Sequence, residues 1–247
     1  MNEQDRRFET PEPAPAPESG SERSMTQNFA DVIVDPEATF EDVAERPRWL
    51  VPLIVLAVAT LIVSYFMMPM WAEMQEAQLA GQEMTSEQVE QSRQMMETFK
   101  WVGLAMAPIM TAVIMAIWAF LFWGWGTIAG AKNARYPVAF TAIVYAGIIY
   151  LLQSVAQAVV VVVKGAEQVA AEGGPPTFGV TLFLERGDMS GLMWGLLSNV
   201  NFFSIWYAVV IAIAGQHALK MSKGASWGFA VVVWVISGIF LAFQPAG

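Results

Sequence analysis

Five long apolar runs alternate with polar segments along this chain: roughly Trp49 to Trp71, Trp101 to Gly130, Pro137 to Val163, Asn199 to Gln216 and Trp227 to Gln244. A helix rises about 1.5 Å per residue, so roughly 17–25 apolar residues cross a hydrocarbon layer ~30 Å thick. Each run reaches that length and none contains a carboxylate. The pattern predicts an all-α membrane protein of five transmembrane helices. Trp101 to Gly130 would be about 44 Å long if straight, so this helix is expected to tilt or emerge from the bilayer. Pro108 marks a place where it can kink.

The polar segments set an orientation, because positive residues close to span ends resist translocation. Arg46 and Arg48, Lys132 and Arg135, and Lys220 and Lys223 gather at one end of the runs, with no acid in either hairpin loop. The opposite loops are mostly acidic. One holds Glu73, Glu76, Glu83, Glu87, Glu90 and Glu97 beside Arg93 and Lys100; the other holds Glu167, Glu172, Glu185 and Asp188 beside Lys164 and Arg186. The amino terminus is therefore expected in the cytoplasm and the carboxyl terminus outside. The two basic connections, Ala131 to Tyr136 and His217 to Ser226, are short enough to make antiparallel hairpins of spans two with three and four with five.

Outside the runs, three segments carry local signals. Residues 1–27 are rich in Pro, Glu and Ser and are expected to be a disordered tail. No apolar run precedes Pro47, so the first span is expected to act as an uncleaved insertion signal. Residues 28–48 read as a juxtamembrane amphipathic segment ahead of a five-helix domain at 49–247. Asp35-Pro36 has the form of a helix start and Pro47 of a stop. Phe40, Val43 and Ala44 share one face against Glu37, Glu41, Asp42 and Glu45, and Phe29, Val32 and Ile33 cluster just upstream. That stripe fits either a helix seated on the base of the bundle or a docking site for a cytosolic partner. In the first acidic loop, Thr85 with Gln88 has capping-box spacing, and Val89, Met96 and Phe99 continue an apolar edge into the second span. In the second, Gly173-Gly-Pro-Pro176 is a breaker. Met189 to Leu197 is compatible with an interfacial helix or, through Ser198, with an extension of the fourth span.

Composition sharpens this picture by exclusion. With 55% hydrophobic and 14% charged residues the chain is too apolar for an ordinary soluble domain. The net charge of −9 describes two solvated regions and not one binding face, since all 22 acids lie in the amino-terminal region or the acidic loops. Basic residues cluster at most in pairs, which disfavours nucleic acid as a partner. The chain has no cysteine, so disulfides, thiolate metal sites and Cys nucleophiles are excluded. Its one histidine, His217, falls near a helix carboxyl end without other metal-type ligands at helical spacing. No ionisable group sits at mid-span, and neither a metalloprotease motif nor paired carboxylates occur within the runs. The expectation is a protein that is not an enzyme and takes no cofactor.

The polar groups inside the runs are amides and hydroxyls. Gln153 and Gln157 lie four apart on the third run with Ser154 between them, and the fourth opens with Asn199, Asn201 and Ser204. Such groups are expected as interhelical hydrogen bonds, with a polar pocket between spans three and four for a small solute or lipid headgroup as the other reading. Small residues repeat every four positions at Ser204, Ala208 and Ala212, at Ala112 and Ala116, at Gly126 and Gly130, and at Ala142 and Ala146. These faces suit packing within the bundle or a homo-oligomer. Trp49, Trp71, Trp101, Trp123, Trp125 and Trp227 fall near run ends, as an aromatic belt would.

The order of segments resembles a family. Val34-Asp-Pro-Glu-Ala-Thr-Phe40 followed by Glu45-Arg-Pro-Arg-Trp-Leu-Val-Pro52 is similar to the entry of prokaryotic Yip1-domain membrane proteins. Lys132-Asn-Ala-Arg-Tyr-Pro-Val-Ala-Phe140 resembles that family's inner connection, and Asn201-Phe-Phe-Ser-Ile-Trp206 with Ala214-Gly215 its fourth-span signature, where an acid is usual at the position of Asn201. The likeness covers roughly residues 30 to 245. It implies a five-helix protein of a bacterial cytoplasmic (inner) membrane without established enzymatic activity. Eukaryotic relatives bind small GTPases of the Rab type, but their acidic-Leu-Tyr-Gly-Pro signature is missing from this chain, so that property does not carry over. The expected role is a non-catalytic membrane adaptor or organiser that binds a membrane complex or cytosolic protein through Phe29, Val32, Ile33, Phe40 and Val43. The alternative is a carrier or lipid-handling protein built on Gln153, Ser154, Gln157, Asn199, Asn201 and Ser204.

Overall fold

The computed structural model describes residues 25–80, 85–184, 187 and 189–243, and the described residues are helical apart from short connections. Nine α-helices follow one another among them: α1 (Met25–Val34), α2 (Pro36–Glu45), α3 (Leu50–Ala80), α4 (Ser86–Ile128), α5 (Tyr136–Lys164), α6 (Ala166–Ala171), α7 (Gly191–Ser198), α8 (Phe202–His217) and α9 (Lys223–Ala242). A single 3-10 turn, Val180–Phe183, precedes α7. Most of the expected disordered tail, residues 1–24, lies outside the described residues, as do Glu83, Glu185, Arg186, Asp188 and Gln244. Helix α1 begins at Met25, at the end of that segment. Its apolar stripe is covered by the bundle, and burial of that stripe stabilises a helix that local propensity alone would not.

Local chemistry explains most boundaries. Asp35 caps α2 by accepting from the Ala38 amide at 3.3 Å, with Pro36 in the first turn. Thr85 and Gln88 form a reciprocal capping box at the start of α4, the Thr85 amide donating to Gln88 Oε1 at 2.9 Å. From there α4 runs unbroken through Pro108 to Ile128, 43 residues or about 64 Å, so acidic-loop helix and second span are one rod. It stops at Gly130 (φ +70°), where the Ala131 amide returns to Gly126 O at 2.9 Å. The first span likewise outruns its apolar stretch. After Trp71 the residues Ala72 to Ala80 include no Gly or Pro, and good helix formers carry α3 on to Ala80.

Helix α5 is the axis of the bundle: α1, α2, α3, α4, α6 and α8 all pack against it. Its first half is almost entirely buried, from Val138 to Ile149, and meets Phe40, Leu56, Phe122, Tyr207, Ile211 and Phe229 in one core. A smaller cluster of Met67, Met70, Ala158, Val161 and Val169 joins α3, α5 and α6. Among the described residues, four helices, α3, α4, α5 and α9, are long and apolar enough to cross a membrane. Their outward positions, such as Ile54, Val58 and Ile62 on α3 and Ile109, Val113 and Ile117 on α4, are exposed apolar side chains, as lipid contact requires.

The fourth run departs from a simple span. Asn199 to Asn201 are not helical as expected; they form a joint between α7 and α8. Gly191 and Gly195 of α7 lie against Ala242 of α9, Asn199 donates to Trp234 O at 2.6 Å, and Gly215 of α8 touches Ser226. Residues 191 to 215 thus descend α9 from its carboxyl to its amino end as two helices in line. Helix α8 alone is 16 residues, about 24 Å, shorter than the ~30 Å hydrocarbon layer. The glycine at 195 is what lets the backbones meet, because a Cβ there would stand 2.4 Å from Ala242 N.

Candidate functional site

Two places collect the residues singled out by sequence. The first is at the end of the bundle that carries Arg46, Lys132, Arg135 and Lys220. Here α1 and α2 fold over α5 and α8 as a cap. Val32 and Phe40 have 0% exposure and Val43 1%; Phe29 and Ile33 are half-buried against the same core. The Phe29 ring lies 5.7 Å from that of Tyr145 on α5. All five candidate docking residues therefore face this chain's own helices. The surface left to solvent is the other side of α2, with Glu37, Glu41 and Glu45 exposed one turn apart, and Val34 beside them at 78% exposure.

What fastens the cap escaped the sequence reading. Asn133 in the α4–α5 connection donates to Ala44 O at 3.2 Å and to Ala218 O at 2.8 Å, and Arg135 Nη2 donates to Ala44 O at 2.9 Å. Arg135 is steadied by its own Nε donating to Asn133 Oδ1 at 2.8 Å. Two side chains thus satisfy terminal carbonyls of α2 and α8, groups that a helix end leaves without internal partners. The signal was present as polar residues in the Lys132 to Arg135 segment, but nothing local pointed to Ala44, far away in sequence. Asn28 Nδ2 adds a bond to Asp42 Oδ2 at 2.8 Å, and His217 Nδ1 sits 3.2 Å from Glu41 Oε1.

The second place is the interior toward the acidic loops, where the six candidate pocket residues separate into different structures. Asn201 caps α8, its Oδ1 accepting from the Ser204 amide at 2.9 Å and its Nδ2 donating to Ser198 O at 3.1 Å. Ser204 Oγ donates back to Asn199 O. With Asn199 bonded to α9, this trio is occupied in holding the α7–α8 joint. The cross-bridge between Gly179 and Asn201 brings the preceding loop against it, with the Val180 amide donating to Val200 O at 3.1 Å.

Ser154 and Gln157 do line a cavity, of about 340 Å3, but it is not between spans three and four. Its other walls are Thr60 and Ser64 of α3 and Thr111 of α4, so it lies among spans one, two and three. Rotation of α5 decides this: the α8 side of the helix at that level is filled by Tyr150 against Tyr207, rings 4.4 Å apart. Gln157 Nε2 also donates to Pro176 O at 3.1 Å, pinning the Gly-Gly-Pro-Pro loop, and Gln153 is half-buried outside the cavity lining. Near the same end Lys164 Nζ lies 2.7 Å from Glu172 Oε2. Hydrogen bonds from Lys164 and then Gln168 hold the Glu172 carboxyl below its usual range. Among the described residues, no three His, Asp or Glu side chains are grouped to hold a metal ion.

A family model described as the Yip1 domain matches residues 30–243. The chain is similar to "Membrane protein YknW" of Bacillus subtilis (strain 168), at 24% identity over 213 residues, which is 86% of this chain and 87% of that protein. No solved structure matches.

Proposed function

The chain belongs to the Yip1-domain family, as a multi-pass integral membrane protein with a bacterial relative, and on that premise we propose that it is a non-catalytic membrane organiser that binds a protein partner at its capped end. The topology that goes with this reading has five crossings of a bacterial inner membrane. The cap and the two basic connections face the cytoplasm and the carboxyl terminus lies outside, in keeping with the placement of Lys and Arg. The fifth crossing is α7 and α8 in line beside α9, about 36 Å of helix in two pieces.

The observation that carries the partner reading is the fastening of α2. A segment tied at Ala44 by two side chains and seated on Phe40 and Val43 presents its acidic side, with Val34, as a fixed surface. A partner meeting a fixed surface pays less ordering entropy than one meeting a loose tail. Within the Phe29 to Arg48 segment the two faces then divide the work: Phe29, Val32, Ile33, Phe40 and Val43 hold the segment, and Glu37, Glu41 and Glu45 meet the partner.

Photocrosslinkers placed singly at Val34, Glu37 and Phe40 in cells test this. The expected result is a discrete protein adduct from Val34 and Glu37 and only an internal product from Phe40. Adducts solely to lipid or to the chain itself from all three sites would overturn the partner reading. Single cysteines at Lys132 and Glu172, introduced into a chain with none of its own, test the topology. An impermeant thiol reagent applied to intact cells should label Glu172→Cys and spare Lys132→Cys, and the reverse labelling would refute the orientation.

A further inference from the structure

The cavity among α3, α4 and α5 has no place in partner binding at the cap, and its shape and lining carry an inference independent of that reading. Along α3 it is lined from Leu56 to Trp71, a path of about 22 Å. One leaflet of hydrocarbon is about 15 Å, half of a ~30 Å core, so the cavity runs through a leaflet and ends in its interface. Apolar side chains, Leu56, Val63, Met67, Met115 and Leu151, make most of the wall. At its floor Gly147 lets the Met115 side chain of α4 pack directly onto α5, since a Cβ there would come within 2.5 Å of Met115 Cε and 3.6 Å of Leu56 Cδ1. The flanking helix faces expose Ile62, Phe66, Ile109 and Met110, so a molecule dissolved in the bilayer reaches the cavity without passing through water.

The polar part of the lining selects the head of such a molecule. Among the described residues, no Lys, Arg, His, Asp or Glu lines the cavity. A phosphate or ammonium head drawn inward to Thr111 and Ser154 would have to leave water without a counter-charge, which costs several kcal/mol in hydrocarbon. Two of the cavity's hydroxyls, in contrast, are set to accept. Ser154 Oγ gives its proton to Tyr150 O at 2.9 Å and Thr111 Oγ1 gives its proton to Ala107 O at 2.9 Å, which leaves oxygen lone pairs on the cavity side. Gln157, with one amide proton committed to Pro176 O, adds an amide at the interfacial end near Trp71. An uncharged donor satisfies such a set.

We propose that this cavity binds a neutral lipid with a hydroxyl head, its chain lying along Leu56 to Met67 and its hydroxyl donating among Ser154, Thr111 and Gln157. Diacylglycerol is the simplest bilayer lipid of that chemistry.

The full-length protein in nanodiscs is labelled with a diacylglycerol that carries a diazirine on one chain, and the adducts are mapped by peptide mass spectrometry. Adducts should concentrate on α3 and α5 peptides that line the cavity and fall at least fivefold when unlabelled diacylglycerol competes. Ser64→Phe, which fills the cavity from α3, should abolish them, while Val58→Phe on the exposed face of α3 should not. The same diazirine on phosphatidylglycerol should label the outer faces of α3 and α4 without saturable competition. Labelling spread evenly over exposed helices and unchanged by Ser64→Phe or competitor would reduce the cavity to ordinary lipid contact and overturn the proposal. Saturable capture of phosphatidylglycerol in the lining would overturn its claim about the head. If Ser64→Phe does not fold, competition in the unmodified protein decides by itself.

Discussion

Replacing Phe40 by Ala should release the cap without loosening the bundle beneath it. Phe40 is fully buried between α2 and the α5–α8 surface, and truncating a buried Phe to Ala costs about 3–5 kcal/mol in transfer and cavity terms. The α1–α2 unit is joined to the rest covalently only through Arg46 to Trp49, so this loss falls on the local equilibrium between seated and lifted cap. At about 1.4 kcal/mol per decade, the lifted population should rise roughly 100- to 4,000-fold. Hydrogen–deuterium exchange read by mass spectrometry resolves this. Amides of Phe40 to Glu45 should exchange faster by that factor, up to the limit set by the cap's own stability, while those of α5 between Val144 and Ile149 stay protected. Glu41→Gln serves as the comparison, because the Glu41–His217 contact is solvent-exposed and such pairs are worth about 0–1 kcal/mol. Unchanged exchange in α2, or an equal rise throughout α5, would refute the account of the cap as a separately seated unit.

Three further outcomes follow from particular contacts. Gly195→Ala places a Cβ against the α9 backbone at 2.4 Å and should lower the melting temperature by several degrees, whereas Gly103→Ala, with nothing within 4 Å, should be neutral or stabilising by up to about 1 kcal/mol; equal effects in a thermal scan would contradict the close α7–α9 approach. Asn201→Ala removes the cap of α8 and the Ser198 bond together and should cost about 1–2 kcal/mol, read as a thermal shift in detergent, and no shift would remove the joint's supposed role. Glu172 has a depressed carboxyl pKa in the folded chain. The contribution of its hydrogen bonds is thus present above the ordinary glutamate range and lost as pH falls through the lower folded value. Carboxyl NMR should find Glu172 titrating below ordinary glutamates, and Lys164→Gln should move it upward; an ordinary titration in the unmodified chain would refute the pairing.

The parts of this molecule that sequence disclosed are those decided within a few turns of helix. The capping box at Thr85 and Gln88, the start at Asp35-Pro36 and the existence of apolar helices long enough to cross a membrane depend on neighbours one to four residues apart or on summed hydropathy, and both are written locally. Destinations are not. The stripe of Phe40 and Val43 announces that one face must be covered, but the same stripe serves a partner or the chain's own α5 and α8. The choice is made by Asn133 and Arg135, some ninety residues on, reaching for Ala44 O. The pocket failed for a related reason. Gln153 and Gln157 share a face by arithmetic, yet about 100° of rotation per residue leaves an error of one position enough to turn a wall from α8 toward α3 and α4. The break at Asn199 to Asn201 sits between the two cases. A run of apolar residues that opens with two asparagines reads as a span with polar glue at its mouth, because hydropathy averages over the joint. In the folded chain those amides are consumed by the backbone that the break exposes: Asn201 at the α8 start, Asn199 at Trp234 O and Ser204 at Asn199 O. Polar side chains at the mouth of a short apolar run are thus as much a mark of an interrupted helix as of a ligand site. In this chain the cavity with unspent hydroxyl lone pairs lies elsewhere, on the other side of α5.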